Sequence, residues 1–302
     1  MKGIVEISER GLFLSVSSGW LLIRQGGNEL GRIAFDDIEV ILISEASTSL
    51  TSVVVKDCAE RNIPIVFCDR SYKPCSITIP MSGNGFVTYY LYKQCSVSKV
   101  QMKHCWRELV RQKILNSAAL LRYLGKNDSQ LLKYARRVKS GDTKNMEAVA
   151  AKYFWEELDV FPKRDRQAND ANCLFNYAYM VLFGMMARAI CSAGLNPSLG
   201  INHHNKQNPF CLVSDLIEPY RYIAELAVIK WLATASSNEV TREAKLFLID
   251  EIKKTRIESE IGNIPLFDGL RSTAVSYRDA LEKDLSKIFL PKPLFLEVTK
   301  CG

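Results

Sequence analysis

The spacing of the apolar residues changes near residue 85 of this 302-residue chain. Before that point, short β-branched runs such as IEVILISE and IPIVFCD alternate with Ser-Gly and Gly-Gly pairs, which is typical of strands joined by tight turns. Within this part, LTSVVVKDCAERN has the character of a short helix. The gaps between the strands are too short for repeated helical crossovers, so we expect a strand-rich sandwich with one helix.

After residue 87 the apolar residues recur at helical spacing, beginning with KVQMKHCWRELVRQKILNSAALLRYL. Because 302 residues exceed the usual size of one domain, we expect an α+β fold with two domains. Residues 1–85 would form a small N-terminal β-rich domain, and residues 86–302 a larger all-α domain. Further helices are predicted, with glycine and proline at the breaks, over residues 144–158, 171–193, 215–235, 239–258 and 273–288.

The cysteine pattern and the N-terminus indicate a cytoplasmic protein. Nine cysteines without a CxxC spacing favour free thiols in a reducing compartment over a disulfide framework or a zinc knuckle. The start, MKGIVEISERGLF, has acids and no apolar run of signal-peptide length. Residues 171–187 carry no charge, but this run is short for a membrane span, which needs about 20 residues. We therefore expect a buried core helix there, and no membrane association.

Positive charge is concentrated in one segment. Between Lys99 and Lys139, eleven basic residues stand against two acidic ones, a surplus that exceeds the net charge of +7 of the whole chain. Lys99, Lys103, Arg107 and Arg111 follow one another at i, i+4 steps, which places four cations on one face of the predicted helix. Such a basic stripe is the electrostatic footprint of a polyanion partner, although a solvated helix face has the same pattern.

Glu147 lies at the head of the helix predicted in TKNMEAVAAKYFWEEL. It precedes Ala150 and Ala151 by three and four residues, so it shares the face of the apolar stripe that continues to Phe154 and Leu158. A carboxylate at the head of an apolar face needs compensation for its desolvation, and a cation is one such partner. The alternative is a glutamate in a first helical turn, where the helix dipole favours it.

Polar side chains gather again in the stretch GINHHNKQNPFCLVSDLIEPYR. His203 and His204 are adjacent in a predicted loop, as metal ligands or as polar surface. Asp215 and Glu218 follow where a helix is expected to start at the next proline, and the alternative is an ordinary acidic helix N-terminus. One imidazole with two or three carboxylates suits Mg²⁺ or Mn²⁺ better than structural zinc. Beside a basic stripe, such a cation points to phosphodiester chemistry.

Three stretches resemble the CRISPR-associated spacer-acquisition integrase. MEAVAAKYFW is similar to the family's glutamate followed by paired alanines and an aromatic pair. LNPSLGINHHN is similar to its Gly-x-x-His segment. The longest and most specific match is NPFCLVSDLIEPYR, close to Asn-x-Phe-x-Leu-x-x-Asp-Leu-x-Glu-Pro-x-Arg. The resemblance runs the whole length of the chain, and the Glu-Pro ending is most similar to the type II form.

The resemblance implies a metal-dependent DNA integrase and endonuclease whose helical domain is catalytic. Such an enzyme inserts new spacer DNA into a CRISPR array by attack of each 3′-hydroxyl on a phosphodiester at the leader–repeat junction. The motif match implies Glu147, one histidine and Glu218 as ligands of Mg²⁺ or Mn²⁺, with Asp215 as a catalytic residue beside them. DNA contacts are expected from the basic stripe and, as second candidates, from Lys163, Arg164 and Arg166.

The resemblance also implies the partners. Double-stranded DNA would be bound both as the spacer precursor and as the CRISPR repeat. Two chains would form a homodimer through their β-rich domains, and two dimers would clamp a small dimeric adaptation protein in a heterohexamer. In a type II system the RNA-guided effector nuclease would be a further partner.

Which histidine is the ligand depends on the register of the motif. The family's ligand is the third residue after the motif's glycine, and counting from Gly200 gives His203. In relatives with two adjacent histidines the second one falls at that place, whereas here the pair is shifted by one residue and His204 is an extra. His203 is therefore the expected ligand, with His204 as the alternative.

Two other functions remain open at this point. A metal-dependent nuclease selective for branched DNA would use the same residues to cleave with water. A non-catalytic nucleic-acid-binding scaffold would use the basic stripe alone. Joining of DNA ends separates the first from an integrase, and loss of joining on removal of Glu147 excludes the second.

Overall fold

A computed structural model describes residues 3–78, 80, 84–159, 171–205, 207–234, 238–260, 262–283 and 288–295. Its first part contains two four-stranded sheets and one α-helix, as the sequence predicted. In chain order these elements are β1 (Gly3–Ile7), β2 (Leu12–Ser17), β3 (Trp20–Gln25), β4 (Asn28–Ala34), β5 (Ile38–Ile43), β6 (Ser49–Leu50), α1 (Ser52–Glu60), β7 (Ile65–Cys68) and β8 (Pro74–Thr78). The strand orders in the two sheets are β1-β5-β7-β8 and β4-β3-β2-β6.

Helices dominate the part of the chain that follows. A 3-10 helix at Glu218–Tyr220 connects the seventh helix to the eighth. The α-helices are α2 (Val87–Ser96), α3 (Lys99–Tyr123), α4 (Ser129–Arg137), α5 (Met146–Leu158), α6 (Asn172–Ser192), α7 (Cys211–Leu216), α8 (Arg221–Thr234), α9 (Arg242–Lys254) and α10 (Leu266–Ala280).

The central helix is α6, which is long and apolar enough to cross a membrane by length and composition alone. In the structure, 78% of its most apolar window is buried inside the protein. It packs against α8, α9, α10 and strand β5. This helix is therefore a core element of the fold, as its two asparagines and modest length suggested.

Strand β5 is covered on both faces. Ile41 and Ile43 lie in the core between the two sheets, whereas Val40 and Leu42 lie in the core of the helical part. A continuous apolar run in place of alternation is typical of such a strand. The helix comes close because Gly184 of α6 has no side chain: a Cβ there would lie 3.0 Å from Cγ2 of Val40.

The second part is mainly helical, as predicted, but it also contains a few strands. A three-stranded sheet lies there, in the order β10-β9-β11, formed by β9 (Arg256–Ser259), β10 (Gly262–Pro265) and β11 (Lys292–Pro293). The helix predicted over 239–258 ends at Lys254, because Thr255 is extended and the chain turns into a hairpin in which Ile257 is buried. The helix predicted over 273–288 begins earlier, at Leu266, directly after Pro265.

Candidate active site

A cleft of about 290 Å³ lies between α3, α5 and the start of α8. Glu147, His203 and Glu218 all line it. They come from the first turn of α5, from the loop before α7 and from the 3-10 helix before α8. The fold thus brings together the three residues that the sequence singled out as metal ligands.

Glu147 is positioned by an aspartate that precedes the helix. The Asp142 carboxylate accepts the backbone N–H groups of Met146, at 2.8 Å, and of Glu147, at 2.9 Å. Asp142 is only 8% exposed, so it satisfies two of the free donors at the N-terminus of α5 from a buried position. Glu147 can therefore direct its own carboxylate into the cleft instead of capping its helix.

Glu218 lies at the buried end of the cleft, with 3% of its surface exposed. Its Oε1 is 2.8 Å from the Arg221 guanidinium, and its Oε2 is 2.5 Å from the Lys113 ammonium. The same ammonium donates to Oε1 of Glu147 at 2.7 Å. Lys113 thus bridges the two carboxylates across the cleft.

These contacts decide the charge states around Glu218. Burial alone would raise the pKa of this carboxyl, but Arg221 and Lys113 more than offset it and lower the pKa to about 2. Burial likewise favours neutral Lys113, and the charges of Glu218 and Glu147 outweigh it, so the pKa of Lys113 is raised. Both carboxylate and ammonium are therefore charged at neutral pH.

Asn116 fixes the turn that carries Glu218. Its Nδ2 donates to the carbonyl of Pro219 at 2.7 Å and to that of Pro291 at 3.1 Å, while its Oδ1 accepts from Gln112 at 2.7 Å. The side chain is 1% exposed. Since buried carbonyl groups need donors, this amide holds the chain after Glu218 against α3.

His203 is held by Asp215 through both its backbone and its ring. The Asp215 carboxylate is fully buried and accepts the N–H groups of Ile201, at 2.5 Å, and Asn202, at 2.9 Å. It also accepts a long contact from the N–H of His203 and a short one from Nδ1 of its ring. Because Nδ1 is engaged, Nε2 is the ring nitrogen that remains for a ligand, which is the usual arrangement behind a metal-bound histidine.

The hydrogen bond that Asp215 accepts from the His203 ring raises the pKa of His203, while burial opposes this rise and the Asp215 charge adds to it. The edge of Trp106 packs against the imidazole, with ring centroids 5.7 Å apart. Asp215 itself does not line the cleft. Asp215 therefore lies behind His203, in contact with its ring, and not in the wall of the cleft.

His204 differs from its neighbour. It is exposed and lines a separate groove beside the N-terminus of α3, outside the cleft that holds Glu147 and Glu218. His203 lines both the cleft and this groove. The geometry favours His203 as the ligand.

Three charged cleft residues had no assigned role in the sequence analysis. In the sequence, Lys113 is only one of the eleven basic residues between Lys99 and Lys139. Its neighbour in the helix, Ile114, is buried. Arg221 and Glu225 follow Glu218 by three and seven residues, a spacing that puts all three on one helical face and was the available signal. Glu225 is buried, accepts a hydrogen bond from Tyr179 at 2.8 Å, and has a pKa raised by burial.

Glu147, His203 and Glu218 offer the ligand atoms that a divalent cation binds, but the three side chains do not surround one common point. Among the residues that the structure describes, no three His, Cys, Asp or Glu side chains lie close enough to hold a metal ion. The Lys113 ammonium lies between Glu147 and Glu218. Two carboxylates and one imidazole that line the same cleft are nevertheless the donor types that fit Mg²⁺ or Mn²⁺.

The basic stripe lies on the outer face of α3. Lys99, Lys103 and Arg111 are exposed, whereas Arg107 is partly buried and pairs with Glu108 at 2.6 Å. The basic residues of α4 are exposed as well. Lys163, Arg164 and Arg166, the second group of expected DNA contacts, lie outside the described residues.

Two carboxylates, an imidazole and two partly buried cations line one cleft next to an exposed basic helix, a combination that suits chemistry on a phosphodiester. Solved structures of similar fold include a casposase bound to integration product, with a TM-score of 0.78, 20% identity, and coverage of 95% of this chain and 94% of that one. A chain of a Cas6-RT-Cas1–Cas2 complex has a TM-score of 0.76 and 15% identity, over 98% of this chain and 36% of that one.

The sequence model described as CRISPR associated protein Cas1 matches residues 5–259. The CRISPR-associated endonuclease Cas1 of Neisseria meningitidis is 36% identical over 221 residues, which cover 72% of this chain and 71% of that protein. This chain belongs to the Cas1 family, and the resemblance identified in the sequence is confirmed.

Proposed function

We propose that this chain is the integrase and endonuclease of CRISPR adaptation, which inserts new spacer DNA at the leader–repeat junction of a CRISPR array. The observation that carries the proposal is the convergence of Glu147, His203 and Glu218 on one cleft in a chain of the Cas1 family. The similar fold of a casposase bound to integration product supports strand transfer as the reaction.

The reaction exchanges one phosphodiester for another. The 3′ oxygen of the spacer forms a bond to phosphorus, and the bond from phosphorus to the 3′ oxygen of the repeat strand breaks. The proton of the attacking hydroxyl passes to solvent, and the leaving oxygen takes one up, so no net hydrolysis occurs. Glu147, His203 and Glu218 would hold Mg²⁺ or Mn²⁺, which offsets the charge that builds on the attacking and leaving oxygens.

Residues in and behind the cleft orient and enclose this site. Asp215 keeps the His203 ring turned with Nε2 towards the cleft. Arg221 places a second positive charge beside the expected position of the phosphate. Phe154 and Trp155 form an apolar wall that limits water at the reacting group.

The surroundings of the cleft support the expected partners. The exposed cations of α3 would grip phosphates without reading bases. The Cas2 component of the complex with a similar chain supports a small Cas2-type partner. We further propose a homodimer joined through the β-rich domains of residues 1–85, action in the cytoplasm, and cooperation with an RNA-guided effector nuclease of a type II system.

Integration of a short duplex into a supercoiled plasmid that carries a leader and repeat tests the proposal. With Mg²⁺ or Mn²⁺ and the Cas2-type partner, wild type should join the duplex covalently, and Glu147→Gln should abolish joining while retaining duplex binding. Glu156→Gln is the matched control, because Glu156 lies on the same helix but is exposed and pairs only weakly with Lys152, at 3.7 Å.

A duplex with 3′-dideoxy ends separates the rival functions. An integrase cannot join it, whereas a nuclease that cleaves branched DNA with water is unaffected by the blocked ends. Cleavage of branched DNA with no joining of unblocked duplex would make the nuclease the main activity. Full joining by Glu147→Gln would remove this cleft as the catalytic site.

A further inference from the structure

Lys113 occupies an unusual position for a residue of the basic stretch. It projects from α3 into the cleft with 15% of its side chain exposed, and its Nζ lies 2.7 Å from Glu147 and 2.5 Å from Glu218. Among the described residues, it is the one cation that pairs with both of these carboxylates. An ammonium therefore lies between the two carboxylates proposed as metal ligands.

The four side chains that pair with one another in the cleft balance their charges without a metal. Glu147 and Glu218 carry two negative charges, and Lys113 and Arg221 carry two positive ones. A divalent cation that joined these four residues would add two uncompensated positive charges in a partly buried site, where like charges repel strongly. The metal is therefore disfavoured while the Lys113 ammonium remains between its ligands.

A DNA phosphate changes this balance. Each phosphodiester brings a negative charge, and lysine is a flexible point charge that binds phosphate readily. If the ammonium turned from the carboxylates to a phosphate in the cleft, Glu147 and Glu218 would be free to bind a cation. Arg221 cannot replace it in this role, because its guanidinium pairs with Glu218 alone of the two carboxylates.

We propose that Lys113 is an internal counter-cation that couples metal binding to DNA binding: it neutralises Glu147 and Glu218 in the free protein and moves to a phosphate when DNA and metal bind together. The inference rests on the proposed metal site. Because the coupling of two binding equilibria is reciprocal, DNA raises metal affinity and metal raises DNA affinity by the same factor. The device would keep the metal site weak until substrate is present.

The test is a Mn²⁺ titration followed by calorimetry and by the electron spin resonance of free Mn²⁺. It uses the full chain with and without a duplex whose 3′-dideoxy ends prevent joining. For wild type, we expect the duplex to raise Mn²⁺ affinity about tenfold. Lys113→Met should bind Mn²⁺ about tenfold more tightly than wild type without DNA, and the duplex should then change its affinity less than twofold.

Lys152→Met is the matched control, because Lys152 is an exposed lysine on α5, away from the cleft. It should retain the wild-type affinities and the wild-type coupling. If the methionine variant does not fold, Lys113→Gln repeats the test with a polar side chain. The effect of the duplex on the Mn²⁺ affinity of wild type is measured without any variant. Wild-type Mn²⁺ affinity that is independent of DNA would overturn the inference, as would a folded Lys113 variant that binds Mn²⁺ no more tightly than wild type.

Failure of the metal site gives a different result. If Glu147→Gln binds Mn²⁺ as wild type does, the metal lies elsewhere and the proposed function loses its site. If Mn²⁺ binding depends on Glu147 but not on Lys113, the proposed site stands, and Lys113 has only the structural role of an ion pair between helices.

Discussion

Gly200 packs tightly against the loop that carries His203. The Gly200→Ala variant therefore tests how rigidly this loop is positioned. A Cβ at this position would lie 2.4 Å from the carbonyl oxygen of His203, 2.7 Å from Cβ of Cys211 and 2.9 Å from Oδ2 of Asp215. None of these atoms is the end of a flexible side chain. The Asp215 carboxylate is itself fixed by backbone N–H groups of the loop.

The magnitude follows from the first of these distances. Ordinary contact requires at least 3.4 Å, so the His203 backbone must move by about 1 Å in Gly200→Ala. A displacement of about 1 Å in a catalytic group can cost about 100-fold in rate. Overpacking of this kind costs about 1–3 kcal/mol of unfolding free energy, which lowers Tm by several degrees without abolishing the fold.

The assay compares Gly200→Ala with Gly85→Ala, where no atom lies within 4 Å of the added Cβ. Both substitutions reduce the conformational entropy of the unfolded chain to the same extent. The difference between the two variants in stability and rate therefore reports the steric clash at Gly200. We expect Gly200→Ala to remain folded by circular dichroism, to lose about 100-fold in strand transfer, and to bind Mn²⁺ more weakly. Strand transfer within about threefold of the Gly85→Ala rate would refute the reasoning that the loop is rigidly positioned.

Three further predictions concern the residues that support the cleft. Asp215→Asn should lower the pKa of His203, because the Asp215 hydrogen bond and charge raise it; an unchanged midpoint in an NMR titration of the imidazole would contradict the pairing. Glu218, with a pKa lowered to about 2 from 4.5, contributes stability above pH 4.5 that is lost as the pH falls towards 2, so the urea midpoint should fall across this window more steeply for wild type than for Glu218→Gln; equal slopes would contradict this. Asn116→Ala leaves two buried carbonyls without their donor, at about 1–3 kcal/mol each, and an unchanged urea midpoint would exclude that role.

Periodicity and local spacing were sufficient to predict most of the secondary structure and one side of the site. The change from strand-like to helical spacing near residue 85 corresponds to the end of β8 and the start of α2 at Val87. The helix predicted over 144–158 is α5, and Glu147 lies in its first turn on the buried face, as the i+3 and i+4 pattern required. These features depend on neighbours within a few residues, so the sequence contains them directly.

The features that could not be predicted from the sequence depend on contacts between segments that are far apart in the chain. Lys113 has the local context of a basic surface helix, and only the approach of Glu147 and Glu218 to α3 makes it part of the cleft. The small sheet of β9, β10 and β11 is similar, because β11 pairs with a strand more than thirty residues earlier in the chain. Pairings at such separation leave no periodic signal in either segment.

Each of the three proposed ligands has a buried polar residue that fixes it. Asp142, Asn116 and Asp215 are 8%, 1% and 0% exposed, which is costly for polar groups unless they are fully hydrogen-bonded. All three form hydrogen bonds with main-chain groups in or next to the segments that carry the ligands. Apolar residues would fill these positions at lower cost if only stability of the helical core were needed. Their presence is best explained by the need to hold three side chains from separate segments at one point, which is the requirement of a preorganised catalytic site.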